Sequence, residues 1–521
     1  MKHSRPMCES RTCLVSPMLC LLGVVPFLTA YADVKMPALF SDHMVLQREM
    51  VVPVWGWADA GEAVTVTIAG QSKSAKANAD GKWNVKLDKL EPGGPFTMVV
   101  KGNNTLTIQD VLVGEVWLAS GQSNMAMPVG GSKNAKSEIA AANFPSIRTF
   151  LVPRIPAETP QQDCGGKWVI CSPQTASLFP AAAYFFGREL HQSLKTPVGL
   201  INSSYGGTAI EAWTSMPVQE GKKELEPVLK LWQQKLSKPY DPEAAHKQYE
   251  KQLAAWKIAD AKRVAEGKPT GYPPQPPVHP SKHQNHPANL FNGMIAPLIP
   301  YAIRGGIWYQ GENSCVPTHS KLYDKQLLLM ISDWRTRWGQ GDFPFAWVQL
   351  PFYKPQTQEP NPASQWANVR EGMLRSLSVP NSGMAITIDT GDANNIHPTN
   401  KQPVGQRLAL WAKAKVYGEK IPYSGPLPAG HKIEGGKVIL SFHYTDGGLK
   451  AKGGELKGFT IADADKKWHW ASARIEGETV VVSSPEVTAP AAVRYGWADH
   501  PTCNLFNGAN LPASPFRTDA W

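Results

Sequence analysis

The stretch GEVWLASGQSNMAMP, residues 114–128, carries an apolar run from Val111 to Ala119 into Ser123, set among small and amide residues. A serine attacks an ester carbonyl only with a base in reach to take its proton and with donors for the resulting oxyanion. The Gly-Gln-Ser-Asn-Met context lacks the second glycine of G-x-S-x-G, so an α/β-hydrolase elbow is disfavoured. On position alone an ordinary turn serine is the simpler reading. Three further segments shift that balance. INSSYGGTAIEAW ends an apolar run in Gly206 and Gly207, whose N–H groups can approach a ligand with no Cβ in the way. IWYQGENS ends another in Gln310, Gly311, Glu312 and Asn313, which offers amide donors, and TIDTGDANNIHPTNKQPVGQRLAL delivers His397 just before a helical pattern. A nucleophile, glycine donors, amide donors and a base thus arise from four separate strand ends.

The elements that must bring them together follow from the rhythm of the chain. Residues 33–108 are short alternating runs broken by Gly, Asp and Asn (MVVPVWGWA, AVTVTIAG, KWNVKL, FTMVVKG, TLTIQD), which predict a small N-terminal β-sandwich-like domain. From Val111 the rhythm becomes strand, turn, helix. Candidate strands are 111–119 and those starting at Val198, Ile303, Pro344 and Met384. Pro180–Lys195 reads as a helix with a first-turn proline and Pro197 beyond its end. Lys321–Trp338 places Tyr323, Leu327, Ile331 and Trp334 on one face, with Gly339 as its stop. This alternation predicts an α/β domain over 109–422, a mostly parallel sheet covered on both faces, with reactive groups at the carboxyl ends of its strands. Residues 220–285 interrupt it. A Lys/Glu/Ala-rich stretch to about Glu266 reads as surface helix and YPPQPPVHP as a stiff connector, together an insertion bordering the reactive face. Residues 423–521 return to strand rhythm and form a C-terminal β-rich region.

At 521 residues, with 42% hydrophobic and 18% charged, the chain is globular with room for two or three domains. Lys2, Arg5 and Arg11, the proline-bearing apolar run CLVSPMLCLLGVVPFL and Ala30-Tyr31-Ala32 read as a signal peptide over 1–32. The expected protein is therefore exported, periplasmic or extracellular, with no membrane insertion after cleavage. Beyond that segment no run reaches the ~20 apolar residues of a membrane span. The formal charge of +10 is spread along the chain, and no basic block alternates with aromatics as a nucleic-acid groove would need. Export leaves Cys164, Cys171, Cys315 and Cys503. Four thiols allow three pairings, with Cys164–Cys171 across a Gly-Gly turn the easiest local pair. No C-x-x-C pair occurs among them, which argues against zinc.

These motifs together resemble the bacterial sialate O-acetylesterases, a branch of the SGNH hydrolase superfamily related to acetylxylan esterases. The resemblance extends to MPALFSDHMVLQRE near the start, NLFNGMIAPLIPYAIRGGIWYQGENS, and the closing NLFNGANLPASPFRTD. It implies a flavodoxin-like three-layer α/β/α domain flanked by β domains. It also implies Ser123 as nucleophile and His397 as general base, acting through an acetyl-enzyme on O-acetylated sialic acid without metal or organic cofactor. The oxyanion would be held by the Ser123 N–H, by Gly206 or Gly207, and by an amide of Gln310 or Asn313. The superfamily commonly sets an aspartate three residues before the histidine, and some members of this branch set it two before. Here those positions are Asn394 and Asn395. Asp392, or less readily Asp389, could orient the ring; alternatively a backbone carbonyl does so and the pair is a dyad.

Around that core stand weaker candidates. Trp213, with Trp308 and Tyr309, could stack on a sugar face or equally fill the core. Gln349, Arg370 and Arg407 are candidates for a substrate carboxylate, although Arg370 and Arg407 fall in helical patterns where a solvent-facing salt bridge is the default. Glu312 lacks the second carboxylate of glycoside cleavage and reads better as a loop anchor. His279, His283 and His286 have metal-like spacing but sit in a Pro/Lys/Asn loop, where a chance cluster is the simpler reading. Deacetylation of xylan or another glycan fits the same motifs. The two asparagines before His397 also leave open a non-catalytic glycan-binding protein.

Overall fold

The computed structural model describes residues 33–267 and 273–521; the expected signal peptide lies outside the described residues. The first strands are β1 (Val45–Gln47), β2 (Val52–Trp57), β3 (Ala63–Ile68), β4 (Gln71–Lys76), β5 (Lys82–Leu87) and β6 (Gly93–Lys101). In β2 and β5 every second side chain is buried, the half-covered pattern their alternating sequences predict. β7 (Thr105–Gly121) then runs through two environments. Its first half pairs antiparallel with β6, and its second half pairs in parallel with β1 on the way into the interior. The expected boundary at residue 108 therefore falls inside one strand, because a single backbone serves both the N-terminal region and the main sheet.

That main sheet adds β8 (Phe144–Leu151), β9 (Trp168–Cys171), β10 (Val198–Ser204), β11 (Gly305–Tyr309), β12 (Phe345–Gln349) and β13 (Ser382–Ile386). Its order is β13-β12-β11-β7-β10-β8-β9, parallel throughout except for β9 at one edge. Every residue of β10, β11 and β12 is buried, as strands covered on both faces require. The helices supplying that cover are α1 (Ala181–Leu194), α4 (Tyr323–Trp338), α5 (Gln365–Arg375) and α6 (Gln402–Lys415). Between α1 and α4 lie α2 (Glu226–Leu236) and α3 (Pro242–Ala265) of the insertion. The register shows which helix covers which face. Gly305 lies level with Trp117 and Trp308 level with Ser120, so the two tryptophans, an odd number of pleats apart, point to opposite faces. Trp117 meets Phe186 of α1 edge-on at 5.0 Å, and Trp308 meets Trp334 of α4 at 5.9 Å. α6 packs on α1, and α5 on α4.

The C-terminal region has its own core around Val438, Leu440, Phe459 and Tyr495. It is bolted to the sheet by buried polar side chains. The Arg370 guanidinium donates to the carbonyls of Leu350, Pro351, Ala498 and Asp499, and Gln349 Nε2 donates to Ser514 Oγ at 2.8 Å. The four described cysteines are free, which corrects the expected Cys164–Cys171 pair. Cys171 is buried at the end of β9 with its thiol toward the Ala142 carbonyl, while Cys164 sits in a turn organised by the Asp163 carboxylate. Among the described residues no helix is long and apolar enough to cross a membrane.

Candidate active site

β7 ends in Gly121 with φ of +135°, where a Cβ would stand 2.2 Å from the Tyr309 carbonyl oxygen of β11. Only glycine fits there, and the turn it permits leads through Gln122 to Ser123 at the start of a four-residue helix. As a first helical residue Ser123 has no intrahelical partner for its N–H. Beyond β10, Gly206 brings the chain so close that a Cβ would lie 3.3 Å from Ser123 Cβ. The carbonyls here are tied back: Asn285 and Asn313 both donate to Gly207 O, at 3.0 and 2.9 Å. Among the described residues the N–H groups of Ser123, Gly206 and Gly207 donate to no protein group.

His397 arrives from the loop after β13, and its Nε2 lies 2.8 Å from Ser123 Oγ. With the ring proton on Nδ1, Nε2 accepts the serine hydroxyl, the geometry of a general base. Burial and then the nearby Lys401 ammonium lower the histidine pKa from 6.5, favouring the neutral ring that can act as that base. Ser123, His397, Gly206, Gly207 and Asn313 share a cleft of about 560 Å³ with Arg154, Tyr205 and Gln284; Pro273 and Gln275 of the insertion form part of its wall.

Several expected site residues lie elsewhere. Gln310 is wholly buried, its amide donating to Thr208 O and Ser314 Oγ and accepting from Tyr323, so it is not free for an oxyanion. Trp213 is core, its indole donating to Thr208 Oγ1 and its ring against Trp308. Gln349 and Arg370 are the interdomain bolts described above, and Arg407 is paired with Asp389 at 2.6 and 2.8 Å. Asp392 is exposed and its carboxylate accepts the Asn394 N–H, closing a local turn in place of orienting the imidazole. The His279, His283 and His286 rings bond within their own loop and pack on Tyr240 and Trp232. Among the described residues no group of His, Cys, Asp or Glu is arranged to hold a metal.

Beneath the pair lies a buried network that the sequence did not reveal. Asn124, the residue after Ser123, donates from Nδ2 to Glu312 Oε1 at 2.5 Å and to the Ile396 carbonyl at 3.0 Å. Its Oδ1 accepts from Lys401 Nζ at 2.7 Å, and Lys401 also donates to the Pro398 carbonyl. Burial lowers the Lys401 pKa to about 7 and raises that of Glu312.

Residues 284–413 match the family described as a carbohydrate esterase, sialic acid-specific acetylesterase. The chain is 31% identical to the sialate O-acetylesterase of Homo sapiens over 96% of this chain and 97% of that protein. The chain belongs to the sialate O-acetylesterase family. The Mus musculus member is also 31% identical, over 92% of this chain and 94% of that protein. A crystal structure of a carbohydrate acetylesterase from Xanthomonas citri superposes with a TM-score of 0.80 at 37% identity, covering 94% of this chain and all of that one. Like the family, this chain is a carboxylic ester hydrolase; the asparagines before His397 coexist with an intact serine–histidine contact.

Proposed function

We propose that the protein is an exported serine esterase of SGNH type that removes O-acetyl groups from sialic acids through an acetyl-enzyme. The 2.8 Å contact between Ser123 Oγ and His397 Nε2 carries this reading. As Ser123 Oγ attacks the acetyl carbonyl, His397 takes its proton. The N–H groups of Ser123 and of Gly206 or Gly207 receive the tetrahedral oxyanion. The imidazolium then protonates the departing sugar oxygen, and the acetyl group remains on Ser123. Water, deprotonated by the neutral imidazole, hydrolyses that ester and restores the serine. Family membership supports sialic acid as the acyl carrier. So does Arg154, the one Lys or Arg among the described cleft-lining residues, which is exposed beside Tyr205 and matches the substrate's carboxylate in charge.

Purified protein is expected to release 4-nitrophenol from its acetate, and Ser123→Ala to abolish release while folding normally. Turnover by the alanine variant would remove Ser123 from the mechanism. The 37% identity to a carbohydrate acetylesterase is equally compatible with a second reading, deacetylation of another glycan such as acetylxylan by the same chemistry. Acetate release from O-acetylated mucin compared with acetylxylan separates the two, and a faster rate on acetylxylan would overturn the sialate assignment.

A further inference from the structure

A catalytic histidine acts only while the loop that carries it stays in place beside the nucleophile. Here the residues two and three before His397 are asparagines. Asn395 Oδ1 accepts the His397 N–H at 2.9 Å, so its side chain serves the loop backbone. The loop is also gripped on both sides of the histidine. The carbonyl before it, Ile396 O, is bound by Asn124; the carbonyl after it, Pro398 O, is bound by Lys401. Asn124 and Lys401 are joined to each other, and Asn124 is joined to Glu312. Asn124 and Lys401 have no solvent exposure and Glu312 has 8%, so the network is fixed by packing on every side.

We propose that Asn124, Lys401 and Glu312 are positioning residues which clamp the backbone at Ile396 and Pro398 and so set His397 against Ser123. The clamp ties the base directly to the residue that follows the nucleophile. Any displacement of one is therefore carried to the other. Glu312 fixes the plane of the Asn124 amide, because its oxygen accepts one N–H and leaves the other for Ile396. Lys401 fixes the opposite end of the same amide. The ammonium has no solvent to satisfy it, so its bonds to Asn124 and Pro398 are maintained through turnover. Glu312 also borders the cleft, whereas Asn124 and Lys401 do not line it, and none of the three is asked to move a proton.

The inference rests on the serine–histidine reading, and its test separates the two. Steady-state hydrolysis of 4-nitrophenyl acetate is measured for wild type, Ser123→Ala, Lys401→Met, Asn124→Ala and Glu312→Gln, with folding checked by circular dichroism and thermal melting. A misplacement of about 1 Å costs on the order of 100-fold in rate. Lys401→Met and Asn124→Ala are therefore expected to fold and to lose about that factor in kcat, with KM within about twofold of wild type. Glu312→Gln keeps an oxygen facing Asn124 and is expected to stay within about threefold of wild type. Crystal structures of the two impaired variants should show the Ser123–His397 separation beyond hydrogen-bond range. Wild-type kcat in a folded Lys401→Met or Asn124→Ala would overturn the clamp while leaving the mechanism standing. Unfolding of both would also overturn it, making these residues structural. Activity surviving in Ser123→Ala would instead sink the underlying mechanism.

Discussion

In the proposed mechanism the His397 imidazole can act as base only while neutral, and burial together with the Lys401 ammonium holds its pKa below 6.5. The acid limb of kcat/KM, which reports the free enzyme, is therefore expected to have its midpoint below pH 6.5. Lys401→Met removes one of the two causes, so the midpoint should move upward in a pH–rate profile; a downward move would show that the ammonium does not face the ring. Arg154 makes a second prediction. A charge-assisted contact is worth ~1.5–3 kcal/mol, so Arg154→Ala should raise KM for an O-acetylated sialic acid about 10- to 100-fold. KM for 4-nitrophenyl acetate, which has no carboxylate, should hardly change. Equal losses on both would show that the guanidinium shapes the cleft without reading charge. At this scale the sequence was legible where a residue's placement depends on a strand end: Ser123, Gly206, Gly207 and His397 all follow from that rule into one cleft. It was illegible where the role depends on which way a side chain turns. Gln349 and Gln310 also stand at strand ends, yet both turn inward to other partners, and nothing in residue type records that choice. Asn124 and Lys401, 277 positions apart, acquire a shared role only on tertiary closure.

Turns set the distance between these residues, and Gly121 is the most exacting. Its φ of +135° and the 2.2 Å approach a Cβ would make to Tyr309 O forbid any side chain without parting β7 from β11. A non-glycine residue in such a conformation costs ~1–3 kcal/mol before the clash is counted. Gly121→Ala is expected to lower the melting temperature and to depress kcat together, measured by calorimetry and 4-nitrophenyl acetate turnover. Loss of either alone would mean that the turn relaxes independently of the sheet. The expected strands at 198, 303, 344 and 384 fall on β10 to β13, and the two expected helices on α1 and α4, because buried parallel strands and capped amphipathic helices write strong periodic patterns. β8 escaped notice because Pro145 and Arg148 break its apolar run, although Arg148 is buried against Asp110.

At the scale of the molecule one buried carboxylate joins segments that the sequence presents as separate. Glu115, in β7, is fully buried and accepts from Arg48 Nε at 2.6 Å, Arg304 Nε at 2.7 Å and Tyr417 at 2.9 Å. Those partners follow β1, precede β11 and follow α6, so the N-terminal region, the centre of the sheet and a covering helix meet on a single side chain. Removing one member of a buried ion pair typically costs ~3–5 kcal/mol, and Glu115→Ala should destabilise by about that much in denaturant unfolding. The pH dependence has a definite sign. Burial alone would raise the Glu115 pKa, but Arg304 and Arg48 outweigh it and hold the carboxyl below its ordinary 4.5. A folded-state pKa below the unfolded one gives stabilisation that is full above the unfolded value and is lost as pH falls through the folded value. Wild-type stability should therefore decline below about pH 4.5, more steeply than that of Glu115→Gln, which has no such proton to gain. Parallel acid profiles for the two proteins would mean that other carboxylates govern acid unfolding, and that the three segments are held together by apolar packing alone.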